Sequence, residues 1–310
     1  MRQNVIITPI YEDVDAATQL FADLSETVGK DIFIIAVDDG SIRQPVDPDI
    51  IAQSGLEGVV LRLRRNVGHQ RAIATGISYA AAEFPDANCI IMDSDGEDRP
   101  ESVVTLLETI SGVEEDVIVA SRKSRVETFR FKLFYVFYKF IFSILTGRKI
   151  AFGNFMALKP NAVRRLATMQ ELWVHVAASI LVSRLRVVDI PFDRGARYQG
   201  QSKMNFGGLV LHGFRALMVF AEDVLVRVGI ICVLVASLTI LAMFMTVILK
   251  LLSFATPGWF SIALAVLFIM FLQTGALTLM TLMLTGVMRG SSVLVDDYRQ
   301  LIDKVLKTSG

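Results

Sequence analysis

Two long uncharged stretches near the C-terminus constrain this chain most. Residues 228–249 and 251–288 contain no Asp, Glu, Lys or Arg. A helix needs roughly 20 apolar residues to cross the hydrocarbon core of a bilayer, and both stretches are long enough. The uncharged connector Ser253–Gly258 joins them, and Trp259 sits at that turn, where an interfacial aromatic belongs. Arg215 and Arg227 precede the first stretch, and Arg289, Arg299, Lys304 and Lys307 follow the second. By the positive-inside rule both ends of this hairpin, and both chain termini, lie in the cytoplasm. The N-terminal apolar run, Val5 to Ile7, is too short for the apolar region of a signal peptide.

Lys plus Arg and Asp plus Glu are equal at 31 each, which argues against a nucleic-acid binder. Cys89 and Cys232 lie far apart, one in an apolar strand and one in the first uncharged stretch, so no disulfide framework is implied.

Residues 4–120 read as alternating apolar strands and helices. Val5–Ile7, Ile32–Val37, Val59–Leu63, Cys89–Met92 and Val117–Ala120 are the strands. Asp15–Val28, Gln70–Phe84 and a segment begun by Pro100 are the helices. That alternation predicts a mostly parallel sheet, whose ligand site lies beyond the carboxyl ends of the strands. The polar clusters Tyr11–Asp13, Asp38–Ser41, Asn66–Arg71 and Asp93–Glu97 all fall at such ends. Residues 129–146 interleave Arg130, Lys132 and Lys139 with eight aromatics and read as a helix in the headgroup region, or alternatively as a core helix. The expected division is a soluble domain over 1–205, a juxtamembrane amphipathic helix over 206–225, a two-helix membrane hairpin over 226–288 and a tail over 289–310.

Asp93 and Asp95 sit two residues apart after an apolar strand. On extended backbone their side chains point the same way, and their oxygens suit Mg2+ or Mn2+. Such a pair also reads as a solvated acidic turn. Asp38-Asp39-Gly40-Ser41 could accept hydrogen bonds from a nucleobase or a ribose, and it also reads as an ordinary Asp-Gly turn. His69, His175 and His212 do not form a metal cluster by spacing. His175 reads as a core histidine, with a catalytic base as the alternative, and His212 as reaching towards lipid headgroups.

The ordered set Thr8-Pro9-Ile10-Tyr11-Glu12, Val37-Asp38-Asp39-Gly40-Ser41, Asn66-Val67-Gly68-His69-Gln70 and Asp93-Ser94-Asp95 resembles family-2 glycosyltransferases with a GT-A (Rossmann-like) fold. Arg194 to Met204, with Gly200-Gln201-Ser202-Lys203 inside it, resembles the polyprenyl-phosphate branch of that family, which ends in interfacial and transmembrane helices. The resemblance covers nearly the whole chain. It implies a nucleotide-sugar donor, a polyprenyl-phosphate acceptor and a place in the inner (plasma) membrane. It implies that Asp95 and Asp93 hold the metal on the donor diphosphate, that Asp38 and Asp39 bind base and ribose, and that Arg122, Arg197 and Lys203 grip phosphates. Pro9, Tyr11, Asn66, His69, Glu97, Arg194 and Ser202 complete the expected substrate-binding set.

Two positions depart from the family pattern. Glu12-Asp13 stands where relatives have Asn-Glu, and Asn154 stands where the branch often has an Asp that is a candidate base. An amide takes up no proton at neutral pH. A phosphomonoester has a second pKa of about 6, so a lipid phosphate needs no base, whereas a sugar hydroxyl does. The resemblance thus implies Asn154, Arg122 and Asp95 as the catalytic residues of an inverting transfer to a lipid phosphate. Transfer to a glycan hydroxyl and a silent nucleotide-sugar-binding scaffold are the alternatives. Gly275-Ala276 and Gly286 in the second span would allow close helix contact in a homo-oligomer.

Overall fold

The computed structural model describes residues 4–122, 139–148, 152–198, 206–254, 256, 258–290 and 297–308. The chain forms two compact units. The first comprises residues 1–138, 149–219 and 294–310, and the second residues 139–148 and 220–293.

The first unit is built on an eight-stranded sheet, β1 (Asn4–Ile10), β2 (Ile32–Asp38), β3 (Glu57–Leu63), β4 (Asn88–Ile91), β5 (Val117–Arg122), β6 (Phe152–Leu158), β7 (Val187–Phe192) and β8 (Ile302–Lys307). Their spatial order is β7-β5-β6-β4-β1-β2-β3-β8. The centre, β4-β1-β2-β3, is parallel. β6 runs antiparallel between β4 and β5, β7 parallel to β5, and β8 antiparallel to β3. The sheet is therefore mixed, with a parallel heart. All four central strands end at the same edge, which brings the polar clusters of the sequence together.

Side chains alternate between the two faces of each strand. Val5, Ile7, Ile35, Val37, Val59 and Leu61 build one core and Ile6, Ile34, Ala36, Val60 and Ile90 the other. On the second face lie α1 (Val14–Thr27), through Leu20, Phe21 and Leu24, the short α2 (Asp49–Gln53), through Ile51, and α4 (Pro100–Gly112), through Val103 and Leu106. The first face carries α3 (His69–Glu83), α5 (Pro160–Ala167) and α6 (Val176–Ser183). α3 presses unusually close to the sheet because Gly76 has no side chain, and a Cβ there would overlap Ile7. The unit closes with α7 (Phe206–Val219).

Three strands were not anticipated. β6 and β7 carry Gly153-Asn154 and Asp189-Pro191, which break an apolar run, and β7 shows only partial burial. β8 corrects the expectation of a tail over 289–310, because residues 302–307 pair with β3 and Ile302 enters the core. The signal is weak because Asp303, Lys304 and Lys307 interrupt an edge strand with one covered face.

The second unit contains α8 (Ala221–Leu251) and α9 (Trp259–Gly290). Ala221–Leu251 and Trp259–Leu284 are long and apolar enough to cross a membrane, with mean hydropathies of 2.7 and 2.2. Residues 139–146 are helical and belong to this unit, where Phe142 meets Phe220 edge-on at 5.7 Å and Arg227 donates to the Ile144 carbonyl at 2.9 Å. The rest of the expected helix over 129–146 lies outside the described residues.

Gly40 sits in a tight turn after β2. Its φ is +71°, and a Cβ would lie 2.5 Å from the Arg65 carbonyl carbon. Replacing Gly40 with Ala combines a left-handed strain of about 1–3 kcal/mol with a backbone clash. A clear fall in the melting temperature of detergent-purified protein is expected.

Candidate active site

Four strand ends supply the site, and backbone amides organise most of its carboxylates. The Asp38 carboxylate accepts from the Ser41 N–H at 2.9 Å and the Val46 N–H at 3.1 Å, with Arg62 at 3.5 Å. Asp38 is fully buried, and each of its carboxylate oxygens braces the loop that follows β2. Asp39 accepts from the Val67 and Gly68 N–H groups at 2.7 and 3.0 Å, tying the β2 end to the β3 end. Burial raises its pKa despite those amides. Glu12, at φ +49°, accepts from the Ile42, Arg43 and Gln44 N–H groups at 2.8, 3.1 and 3.1 Å. Those amides, with the Arg43 charge, hold its carboxyl below the usual range. The departure from the family pattern at Glu12 thus has a structural use, the clamping of the loop that follows Ser41.

Asp93 and Asp95 follow β4. The backbone turns at Ser94-Asp95 rather than staying extended, and Asp95 Oδ1 accepts from the Glu97 N–H at 3.0 Å. Burial first, and then the neighbouring Asp93 charge, raise the pKa of Asp95; Arg197, Arg194 and His69 pull it back. Carboxylate oxygens suit a hard divalent cation, so the donor chemistry fits Mg2+ or Mn2+. Among the described residues no group of three or more His, Cys, Asp or Glu side chains forms a metal cage. The Asp pair would thus hold an ion only together with oxygens of another molecule.

A strap formed by residues 194–198 crosses this turn. Gly195 N–H donates to the Glu97 carbonyl and Tyr198 N–H to the Asp95 carbonyl, each at 2.9 Å. Arg197 reaches Asp95 at 2.9 Å and Glu97 at 2.8 Å, and Arg194 pairs with Glu97. The Tyr198 hydroxyl donates to Asp23 of α1 at 2.6 Å while its ring covers Gly96, where a Cβ would lie 2.7 Å from the ring. Burial, followed by the hydrogen bond to Asp23, raises the Tyr198 pKa. The sequence contains Tyr198 and Asp23, but their separation along the chain hides the pairing.

His69 opens α3 and lies 3.3 Å from Asp93 and 3.2 Å from the Asn154 amide nitrogen. Loss of hydration disfavours its charged form, but Asp93, Asp39 and Asp95 outweigh that and raise its pKa. Asn154 shares a small open cleft with Asp93, Glu97, Ser121, Phe192 and Arg194. Pro9 offers its carbonyl to Ser94 at 3.2 Å, while Tyr11 and Asn66 are exposed at the same edge. Ser202, Lys203 and the side chain of Arg122 lie outside the described residues. His212 departs from the expected reach towards headgroups, because its ring meets His175.

Residues 5–173 match the model of glycosyl transferase family 2. An uncharacterized glycosyltransferase of Synechocystis is 29% identical over 85% of this chain and 84% of its own length. An undecaprenyl-phosphate 4-deoxy-4-formamido-L-arabinose transferase of Enterobacter is 27% identical over 66% of this chain and 63% of its own length. A dolichol-phosphate mannosyltransferase of Pyrococcus furiosus is 25% identical over 66% and 59%, respectively. The parallel strand ends, the clustered carboxylates and the match over more than half of the sequence agree: this chain belongs to glycosyl transferase family 2 and has a GT-A fold.

Proposed function

We propose that this chain transfers a sugar from a nucleoside-diphosphate donor, a UDP-sugar in the first instance, to a polyprenyl phosphate at the cytoplasmic face of a plasma membrane. The observation that carries this reading is the interleaving of Asp93, Asp95 and Glu97 with Arg194 and Arg197 at one strand edge. Such an array offers carboxylates to a cation and guanidinium groups to phosphate oxygens. Asp95 and Asp93 would hold Mg2+ or Mn2+, whose positive charge favours departure of a nucleoside diphosphate. Arg197 would exchange carboxylate oxygens for phosphate oxygens when the donor arrives, and the strap would keep it in place. Asp39 and the loop braced by Asp38 and Glu12 would frame the nucleoside.

The acceptor side agrees with a phosphate nucleophile. Asn154 is an amide that holds or orients without taking a proton, and a phosphomonoester is already largely dianionic at neutral pH. Two relatives bear names that specify undecaprenyl phosphate and dolichol phosphate. The helices Ala221–Leu251 and Trp259–Leu284 would hold the chain where such acceptors reside, raising their effective concentration.

The test is direct. Detergent-purified protein is incubated with undecaprenyl phosphate, a panel of UDP- and GDP-sugars and Mg2+ or Mn2+, and new phosphoglycolipids are sought by mass spectrometry. A metal-dependent product from one donor is expected. Intact nucleotide binding by calorimetry, with no lipid product from any donor, would refute the acceptor assignment.

A further inference from the structure

All three histidines of the chain converge on one side of the sheet domain, although they lie far apart in sequence. His175 and His212 face each other with Nε2 atoms 3.1 Å apart and ring centroids 4.4 Å apart. The Ala178 N–H donates to His175 Nδ1 at 3.2 Å, so that nitrogen is bare. The proton of a neutral His175 is then on Nε2 and points at His212, whose Nε2 must accept and whose own proton is on Nδ1. One tautomer combination satisfies both rings, and both are uncharged.

The pair stands at a junction. His175 is the N-cap of α6, and its neighbour Val176 donates its N–H to Gln70 Oε1 at 2.7 Å. Gln70 follows His69, which touches Asn154 and Asp93. His212 belongs to α7, whose Ala216 is buried while Leu211, Phe214 and Met218 are exposed on its other side. A few hydrogen bonds thus link the Asn154 side of the cleft to an apolar-faced helix. The donor-side loops after β1 and β2 are braced independently by Glu12, Asp38 and Asp39.

We propose that His175 and His212 are a positioning pair, whose hydrogen bond docks α7 on the catalytic domain and thereby sets the affinity for the lipid-phosphate acceptor but not for the nucleotide donor. The inference rests on the acceptor reading above. Burial, with His212 and Arg215 nearby, pushes the His175 pKa down to about 3. Burial, with His69 and Arg215, also lowers that of His212. Among the described residues, the charged and titratable groups acting on the pair, His69 and Arg215 and, on His175, the His212 ring, oppose a proton there. An undocked histidine takes one up near its ordinary pKa of about 6.5. Docking is thus complete above that value and weakens as pH falls below it, because the undocked state binds more protons.

Steady-state kinetics on the full chain in detergent test this. His212→Ala raises the acceptor KM about fivefold to tenfold, the effect of one lost buried hydrogen bond, with kcat and the calorimetric Kd for nucleotide unchanged. His212→Gln accepts the same N–H through its amide oxygen but does not titrate. It restores the KM and abolishes the rise in KM that the wild type shows from about pH 7.5 to about pH 5.5. His175→Asn keeps the α6 cap but not the Nε2 proton, and it behaves like His212→Ala. An acceptor KM within about twofold of wild type for both disrupting variants, or no rescue by Gln, overturns the proposal. Should a variant fail to fold, 15N-histidine NMR of the wild type decides: the expected pattern is Nε2–H on His175 and Nδ1–H on His212, and any other overturns it. If the wild type transfers nothing to a polyprenyl phosphate, the acceptor assignment fails, and the same NMR pattern judges the pairing alone.

Discussion

Replacing Asp95 with Asn should lower turnover by about a hundredfold to a thousandfold while leaving the melting temperature unchanged or slightly raised. The two halves of this expectation have separate causes. Asparagine keeps the oxygen that accepts the Glu97 N–H, so the turn after β4 survives. Arg197 loses Asp95 but retains Glu97 at 2.8 Å. The carboxylate itself is a strained charge, raised in pKa by burial and by Asp93. Removing it relieves that repulsion and costs little stability. What disappears is the anionic oxygen that would hold a cation against the donor diphosphate. Comparing turnover and thermal melting of the two proteins checks both halves. Activity within about tenfold of wild type would remove Asp95 from the reaction.

Replacing Gly195 with Ala should cost activity by a steric route. A Cβ there overlaps the Gly96 carbonyl oxygen and lies 3.2 Å from Arg99 Cγ. A backbone carbonyl cannot swing away as a side-chain tip can, so the strap must lift, at a cost of about 1–3 kcal/mol. Lifting breaks the Gly195–Glu97 and Tyr198–Asp95 backbone bonds and withdraws Arg194 and Arg197 from the carboxylates. Because misplacing a positioned group by about 1 Å can cost a hundredfold, kcat/KM should fall about tenfold to a hundredfold, with weaker donor binding by calorimetry. Gly112→Ala, where nothing lies within 4 Å of the added carbon, is the control and should change neither quantity.

The central fold was legible because β1 to β5 are runs of buried apolar residues, and parallel strands carry their polar ends to one edge. For that reason the clusters holding Asp39, His69, Asp93 and Asp95 could be placed at one edge from sequence, whereas Asn154, on the unanticipated antiparallel β6, was named only through the family resemblance. The division of labour among them was not legible. Asp38 and Asp39 are adjacent acidic residues, yet the first accepts from amides of its own loop and the second from amides of the loop after β3. Their difference depends on backbone directions that no residue type records. The pairing of His175 with His212 and that of Tyr198 with Asp23 join residues distant in sequence, so no spacing rule reaches them. β7 was hidden by Pro191 and β8 by its charges, since edge strands need only one apolar face.

The position of β8 imposes an order of events during synthesis. The strand that covers β3 is made only after both long apolar helices have been translated. Until residues 302–307 leave the ribosome, β3 presents an open row of amides and carbonyls, the kind of edge that recruits stray strands. The two long helices are therefore synthesised while the sheet is still unfinished, and residues 302–307 cover its β3 edge only afterwards. A chain stopped after α9 would carry every candidate catalytic side chain and still lack a finished sheet.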